Sequence, residues 1–298
     1  MKKVTIKVPA TSANMGPGFD NLRIALTLYN TFEVTETSHG LVIEGGPEEF
    51  RNDQNLVYVS MLQCFAKIGY KHNGFHIKIT ADIPVCSGLG SSSSCVIGGI
   101  MAANELAGGL LQKQELIDLA TQIEGHPDNV APALLGNMVI AVQENEKVYF
   151  NRLQIATGLQ FIALTPDFGL PTEEARAALP KTIPYEDAVF NIGRTGLLIS
   201  SLISGSFHNL KPACHDRLHQ PYRKHLVEEW DEVFAIAESI NASATFLSGA
   251  GPTIMLILED TDHDIVPELQ EKIKQLTHKW TLRQLRIEWL GARVLENA

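Results

Sequence analysis

Pro84-Val85-Cys86-Ser87-Gly88-Leu89-Gly90-Ser91-Ser92-Ser93-Ser94 brings backbone without side chains and a row of hydroxyls into one short run. Gly88 and Gly90 let main chain approach a ligand closely. The serines offer hydroxyls and suit the first turn of a helix as caps, where unpaired N–H groups and the positive dipole end collect. Such a place binds anions, phosphate above all. A second polar cluster, Ala10 to Asn21, holds Asn14 and Asp20, either as ligand contacts or as closers of an Asx-type turn. A third runs from Glu124 through His126, Pro127, Asp128 and Asn129 to Gly136. Glu124 stands at a helix exit, where its charge opposes the dipole unless a cation such as a metal ion compensates it; the plainer alternative is a solvated surface carboxylate.

Thr172 and Arg176 open a short helix, Thr172 in the manner of an N-cap and Arg176 four residues on. His208, His215, His219 and His225 follow, with His215 and His219 at helical metal-ligand spacing. The glutamate of the metalloprotease motif is missing, so these read as surface histidines. Arg217 and Arg223 supply cations in the same span.

Two familiar phosphate sites are excluded. The Gly-Lys-Ser/Thr of a P-loop does not occur, and Ser93 stands where a dinucleotide fingerprint needs its third glycine. A net charge of -10 argues against a nucleic-acid partner. The four cysteines, Cys64, Cys86, Cys95 and Cys214, form no C-x-x-C pair, so reduced thiols and a cytoplasmic location are expected. The start, Met1-Lys2-Lys3-Val4, leads into alternation and gives no sign of a signal peptide or membrane span.

These residues need elements to position them. Val4, Ile6 and Val8 alternate with Lys3, Thr5 and Lys7, predicting a strand that ends at Pro9, and a second strand spans 24–29. Residues 55–68 predict a helix, 75–81 a half-buried strand, and Val96, Ile97, Ile100, Met101 and Leu106 a helix after the glycine-serine loop. A helix over 115–123 closes at Gly125; strands follow at 138–142 and 161–164, and 185–202 reads as a long, mostly buried helix. The remainder predicts helix 227–239, strand 244–247, a glycine turn at 248–252, strand 253–258, helix 266–276 and strand 285–290. This mixture predicts α+β architecture with helices on one face of an antiparallel sheet, in a chain of 298 residues, long enough for two domains.

Pro9 to Asp20, Pro84 to Ser94 and Leu247 to Thr253, in that order, resemble the three motifs of the GHMP kinases, a group that includes galactokinase, homoserine kinase, mevalonate kinase and phosphomevalonate kinase. His126 to Gly136 is similar to the segment that homoserine kinases carry at the substrate pocket. The resemblance implies an N-terminal domain (1–155) like the second domain of ribosomal protein S5, with a left-handed βαβ crossover, and a ferredoxin-like C-terminal domain (156–298). The active site lies between them.

It further implies transfer of the ATP γ-phosphoryl group to the side-chain hydroxyl of L-homoserine, with Mg²⁺, in threonine biosynthesis. Pro84 to Ser94 would wrap the triphosphate, with Ser92 and Glu124 holding Mg²⁺ through oxygen. Asp20 and Asn14 suit the substrate ammonium, Arg176 its carboxylate, and Thr172 and His126 line the same pocket. A second arginine after the histidines is placed at Arg223, with Arg217 the alternative register. Where mevalonate kinase has an aspartate expected to act as base, Asn129 stands near the reacting hydroxyl. An amide takes no proton at neutral pH, so transfer without a dedicated base is expected, with neighbouring Asp128 the alternative. A homodimer is a possible assembly. The rival readings are a mevalonate-type kinase of the same group and a non-catalytic binder that kept the fold.

Overall fold

The structure, a computed structural model, describes residues 2–126, 129–261 and 264–296. The opening alternation makes strand β1 (Lys3–Ala13), which buries Val4, Ile6 and Val8. It does not stop at Pro9. The register slips between Pro9 and Ala10, an irregularity at which a residue with no N–H to give is tolerated, and the strand runs on to Ala13. It pairs antiparallel with β2 (Leu22–Thr37), which is much longer than its apolar centre predicts.

β3 (Gly40–Glu44), helix α1 (Leu56–Ile68) and β4 (Gly74–Ala81) complete a parallel βαβ unit, since β3 and β4 pair in parallel. Helices α2 (Ser91–Leu106), α3 (Lys113–Glu124) and α4 (Val130–Leu135) follow, then the hairpin β5 (Met138–Glu144) and β6 (Lys147–Leu153). Neither β3 nor β6 is visible in the sequence pattern, because both are edge strands with largely exposed residues. The four helices bury Val57, Phe65, Ile97, Ile117 and Ala131 in one core with Ile6, Val8 and Phe32 of the sheet.

β7 (Leu159–Thr165) begins the second sheet, followed by α5 (Thr172–Ala177), α6 (Tyr185–Ser204), α7 (Leu210–Ala213), α8 (Gln220–Arg223) and α9 (Trp230–Ser239). β8 (Ala244–Leu247), β9 (Ile254–Glu259), α10 (Val266–Ile273) and β10 (Thr281–Leu285) complete it in the antiparallel order β10-β7-β9-β8. Counted within this sheet, that is fourth, first, third, second strand: the βαββαβ ferredoxin-like arrangement. Helix α9 starts three residues after the expected 227, and α10 ends at Ile273. The expected strand over 285–290 lies earlier, at β10; beyond it the chain touches the first sheet at the Leu26–Ile287 bridge and ends as β11 (Arg293–Leu295) beside β1.

Both faces of the second sheet are covered, not one. Ile162, Leu164, Leu256 and Leu258 meet α9 and α10, while alternate residues Phe161, Ala163, Phe246 and Met255 meet Leu198 and Leu202 of α6 and Leu22, Ile24 and Leu26 of β2. Phe161 and Phe246, both fully buried at this seam, each contribute about 1.5–3 kcal/mol by leaving water. Helix α6 is not mostly buried: its inner side packs, whereas Val189, Ile192 and Leu197 are exposed. Among the described residues no helix is long and apolar enough to cross a membrane.

Candidate active site

The glycine-serine run joins β4 to α2 as expected, but the caps differ. Gly90, in the left-handed region at φ 75°, occupies the N-cap position, and the serines are the first helical residues. Gly88 is held at φ 81°, and a Cβ there would lie 2.2 Å from the Ser248 carbonyl oxygen. The turn between β8 and β9 presses on this loop: Ser248 Oγ donates to the Gly88 carbonyl at 2.7 Å, and Thr253 N–H to that of Ser87 at 3.2 Å. The first strand braces it through Thr11 N–H to Leu89 O at 3.1 Å. The loop and the start of α2 are therefore held in one conformation, with the backbone geometry that suits an anion.

Beside the cradle, the Glu124 carboxylate at the end of α3 accepts from Ser92 Oγ and Ser93 Oγ, both at 3.0 Å. Burial raises the Glu124 pKa above the ordinary carboxylate value, against the opposing pull of the two serine hydrogen bonds. A half-buried carboxylate beside two hydroxyls is a donor set of hard oxygens that suits Mg²⁺. Among the described residues no cluster of three His, Cys, Asp or Glu side chains could hold a metal.

The β1–β2 connection supplies the next wall. Asn14 and Asp20 both adopt positive φ, 71° and 54°. Asn14 Oδ1 accepts from the Asp20 N–H at 3.1 Å and its Nδ2 donates to Gly249 O at 2.8 Å, so both amide atoms hold the frame of the site. The Asp20 carboxylate is paired with the Arg176 guanidinium of α5 at 3.4 Å. Thr172 is the first residue of α5, with Pro171 in the N-cap position, not Thr172.

Arg223 closes the pocket from below. Its side chain is buried, donating from Nε to Ala175 O at 3.0 Å and from Nη1 to Gly249 O at 3.2 Å. Desolvation, aided by the nearby Arg176 charge, lowers its pKa to about 10, so it remains a cation at neutral pH. Arg217 is elsewhere: it pairs with Asp187 at 3.1 Å, stacks on Phe190 and does not line the cleft. His219 is fully buried and not on the surface; its Nε2 meets Gly16 O at 2.8 Å and its Nδ1 faces Arg223. Asp216 Oδ2 fixes the turn before α8 by accepting from His219 N–H and Gln220 N–H.

One cleft of about 590 Å³ gathers these groups. Val85, Cys86, Ser87, Gly88, Gly90, Ser91, Ser92 and Ser93 line it, as do Glu124, Asn14, Asp20, His126, Asn129, Thr172, Arg176 and Arg223. Pro84, Leu89 and Ser94 do not: Leu89 is core, and Ser94 is tied to Asn30 and Ser91. Asn129 Oδ1 accepts from Thr11 Oγ1 at 2.8 Å, which leaves the amide nitrogen as the donor toward a ligand. Asp128 lies outside the described residues. Burial, followed by the Arg176 charge, lowers the His126 pKa, so its ring is neutral at pH 7.

Sequence reasoning missed Thr11 and Gly249, which sit in stretches read as turns, and Arg23, which falls between the polar cluster ending at Asn21 and the strand expected over 24–29. Arg23 is fully buried on β2, with its Nη1 on Asn21 O, and desolvation lowers its pKa to about 9. It missed the apolar end of the cleft as well, where Pro47, Phe50, Leu56, Ile79 and Ile123 face Asn55. Asn55 caps α1 and donates to Phe50 O, so the apolar walls alone offer a surface for a planar heterocycle.

The profile described as GHMP kinases N terminal domain matches residues 55–137, and that described as GHMP kinases C terminal matches 198–275. A homoserine kinase of Clostridium botulinum is 51% identical over 98% of this chain and 98% of its own length. One from Clostridium beijerinckii is 46% identical over 98% and 99%. The crystal structure of homoserine kinase from Cytophaga hutchinsonii superposes with a TM-score of 0.88 at 26% identity, covering 99% of this chain and 98% of that one.

Proposed function

This chain belongs to the GHMP kinases, and from that premise we propose that it phosphorylates the side-chain hydroxyl of L-homoserine with ATP, giving O-phospho-L-homoserine. One observation carries the substrate reading. Asp20 and Arg176, an anion and a cation at 3.4 Å, share one cleft with the glycine-serine cradle. An amino acid presents the matching pair of charges, and Arg223 adds a second cation for its carboxylate. In this reading Asp20 receives the ammonium, Arg176 and Arg223 the carboxylate, and Thr172 and His126 shape the pocket around the side chain. The base of ATP occupies the apolar end near Phe50, and the triphosphate lies along 84–94.

Ser92 and Glu124 would hold Mg²⁺, which in phosphoryl transfer neutralises charge on the phosphate oxygens. The chain itself supplies position and electrostatics. Backbone N–H groups of Gly88, Gly90, Ser91 and Ser92 face the charge that spreads over the transferring group, and the Asn129 amide nitrogen, fixed by Thr11, orients the acceptor hydroxyl. Because the transition state is loose, little charge builds early on the nucleophile. A general base contributes about 10²–10⁴-fold where present, and we assign none here.

The division of the chain at 155/156, between β6 and β7, is part of the same reading, with β11 returned to the first sheet. A cytoplasmic enzyme, active as a homodimer and without a nucleic-acid partner, completes it. The test is a coupled ADP-release assay with homoserine, mevalonate and galactose, with and without Mg²⁺. Turnover only with homoserine and Mg²⁺ is expected. Preference for mevalonate would replace the assignment by the rival kinase, and no turnover with any alcohol would favour a binder.

A further inference from the structure

His219 is a fully buried ionisable side chain to which phosphoryl transfer gives no part. It does not line the cleft; it sits behind the wall, between the β1–β2 connection and the start of α8. Its Nε2 is 2.8 Å from the Gly16 carbonyl oxygen, which can only accept, so the ring proton is on Nε2. Nδ1 is then an acceptor, and the atom it faces at 3.3 Å is Arg223 Nη1, which can only donate. Burial lowers the pKa of the ring, against the pull of the Asp216 carboxylate 3.6 Å from Nε2, so one neutral tautomer satisfies both neighbours at pH 7. The Phe19 ring stacks on the imidazole with centroids 5.2 Å apart. His219 thus touches the connection at Gly16 and at Phe19, the residue before Asp20, and touches the arginine across the pocket as well.

The contact with Arg223 decides what that arginine has left to offer. Its Nε donates to Ala175 O, and Nη1 places its two protons on Gly249 O and His219 Nδ1. Among the described residues Nη2 meets no acceptor, so its pair of N–H groups is what remains for a carboxylate in the cleft. We propose that His219 is a positioning residue for the amino-acid pocket: Nε2 holds the connection that carries Asp20, Nδ1 sets the plane of the Arg223 guanidinium, and the ring between them fixes the separation of the ammonium and carboxylate sites. The proposal rests on the amino-acid reading of the cleft given above. Other side chains of the second unit hold the same connection, since Asn191 Nδ2 and Thr195 Oγ1 donate to Pro17 O at 3.0 and 3.1 Å. Of these three, His219 alone is also hydrogen-bonded to Arg223. Its own place is set by Asp216, which accepts from the His219 N–H at 3.0 Å and from Asn191 Nδ2 at 2.7 Å.

The two ring nitrogens can be removed one at a time. A glutamine amide reaches the place of Nε2 and an asparagine amide that of Nδ1, so His219→Gln keeps the bond to Gly16 and releases Arg223, while His219→Asn keeps Arg223 and releases the connection. Steady-state assays should show the homoserine KM raised at least about tenfold in each variant, with kcat and the KM for ATP within about threefold of wild type. Competitive inhibition by two truncated analogues separates the two arms. 4-Hydroxybutyrate, which lacks the ammonium, should lose affinity for His219→Gln only; 3-aminopropan-1-ol, which lacks the carboxylate, should lose it for His219→Asn only. Thermal unfolding and ATP titration check that the chains are folded, and either variant by itself suffices to overturn the proposal. A lowered Tm with the homoserine KM unchanged makes His219 a packing residue and overturns it, as does equal loss for both analogues. A wild-type chain that turns over mevalonate and not homoserine overturns the amino-acid reading itself, and the proposal with it.

Discussion

Glu124 is half-buried with two serine hydroxyls as hydrogen-bond partners, and burial raises its pKa. The unfolded chain therefore releases this proton first as pH rises, so stability is lost between the ordinary carboxylate value and the raised one, and the full cost persists above it. A cation on the carboxylate offsets that cost only where the group is ionised. Thermal unfolding should thus show a larger rise from MgATP over metal-free ATP near neutral pH than near pH ~4. Glu124→Gln should stabilise the ligand-free chain and erase the Mg²⁺ increment; an increment that is pH-independent or survives the substitution would remove Glu124 from the metal site. At the reacting hydroxyl, Asp128→Asn should keep kcat within about tenfold, since no base is assigned, whereas a loss near 10³-fold in steady-state assays would make Asp128 the base. Asp20, Arg176, Ser92 and Glu124, which line one cleft, can be picked out of the sequence: Asp20 and Ser92 lie in ordered motifs, Glu124 at a helix exit and Arg176 on a short helix. Arg223 was the preferred register and Arg217 the alternative; both are cations six residues apart, and only the fold buries one under Gly249 while leaving the other on Asp187. His219 was misread for the same reason, since spacing carries no information about depth.

At the scale of elements, the cradle depends on two glycines whose conformations no other residue adopts cheaply. Gly88→Ala meets both the positive φ and the Ser248 carbonyl, which is backbone and cannot swing away. Gly40 has φ 78° with open space around it, so Gly40→Ala costs the backbone strain alone, about 1 kcal/mol. Denaturant unfolding and ATP titration of the two variants should therefore diverge: Gly88→Ala loses several kcal/mol or at least 100-fold in ATP affinity, while Gly40→Ala binds ATP normally. Equal, mild effects would mean that the loop is not clamped between the two sheets. The strand, loop and helix around this cradle were readable from period and glycine content. Edge strands β3 and β6 were not, because exposed strands lack the alternation that burial imposes. Pro9 misled for a different reason: the slip that accommodates it is a property of the pair β1–β2 and not of β1. The apolar outer side of α6 made the helix look buried, since sequence cannot tell a core face from an exposed apolar one.

Across the whole molecule, the site belongs to neither sheet alone. The cradle, Glu124 and the β1–β2 connection come from the first unit; α5, α8 and the 248–252 turn come from the second and hold them at Gly88, Ala13 and Asn14. Strand β11 crosses back to pair with β1, so the chain end also ties the units together. These long-range pairings were the least legible feature, because each side of a contact looks like ordinary turn or strand in its own stretch. The central claim is that the glycine-serine loop is a nucleotide cradle opening onto an amino-acid pocket. A crystal structure with a non-hydrolysable ATP analogue, Mg²⁺ and L-homoserine tests it most directly. The account predicts the triphosphate along Gly88 to Ser92, the metal on Ser92 and Glu124, and the ammonium and carboxylate on Asp20 and Arg176, with the hydroxyl toward the terminal phosphate. A triphosphate bound away from this loop, or homoserine in a separate cleft, would contradict it.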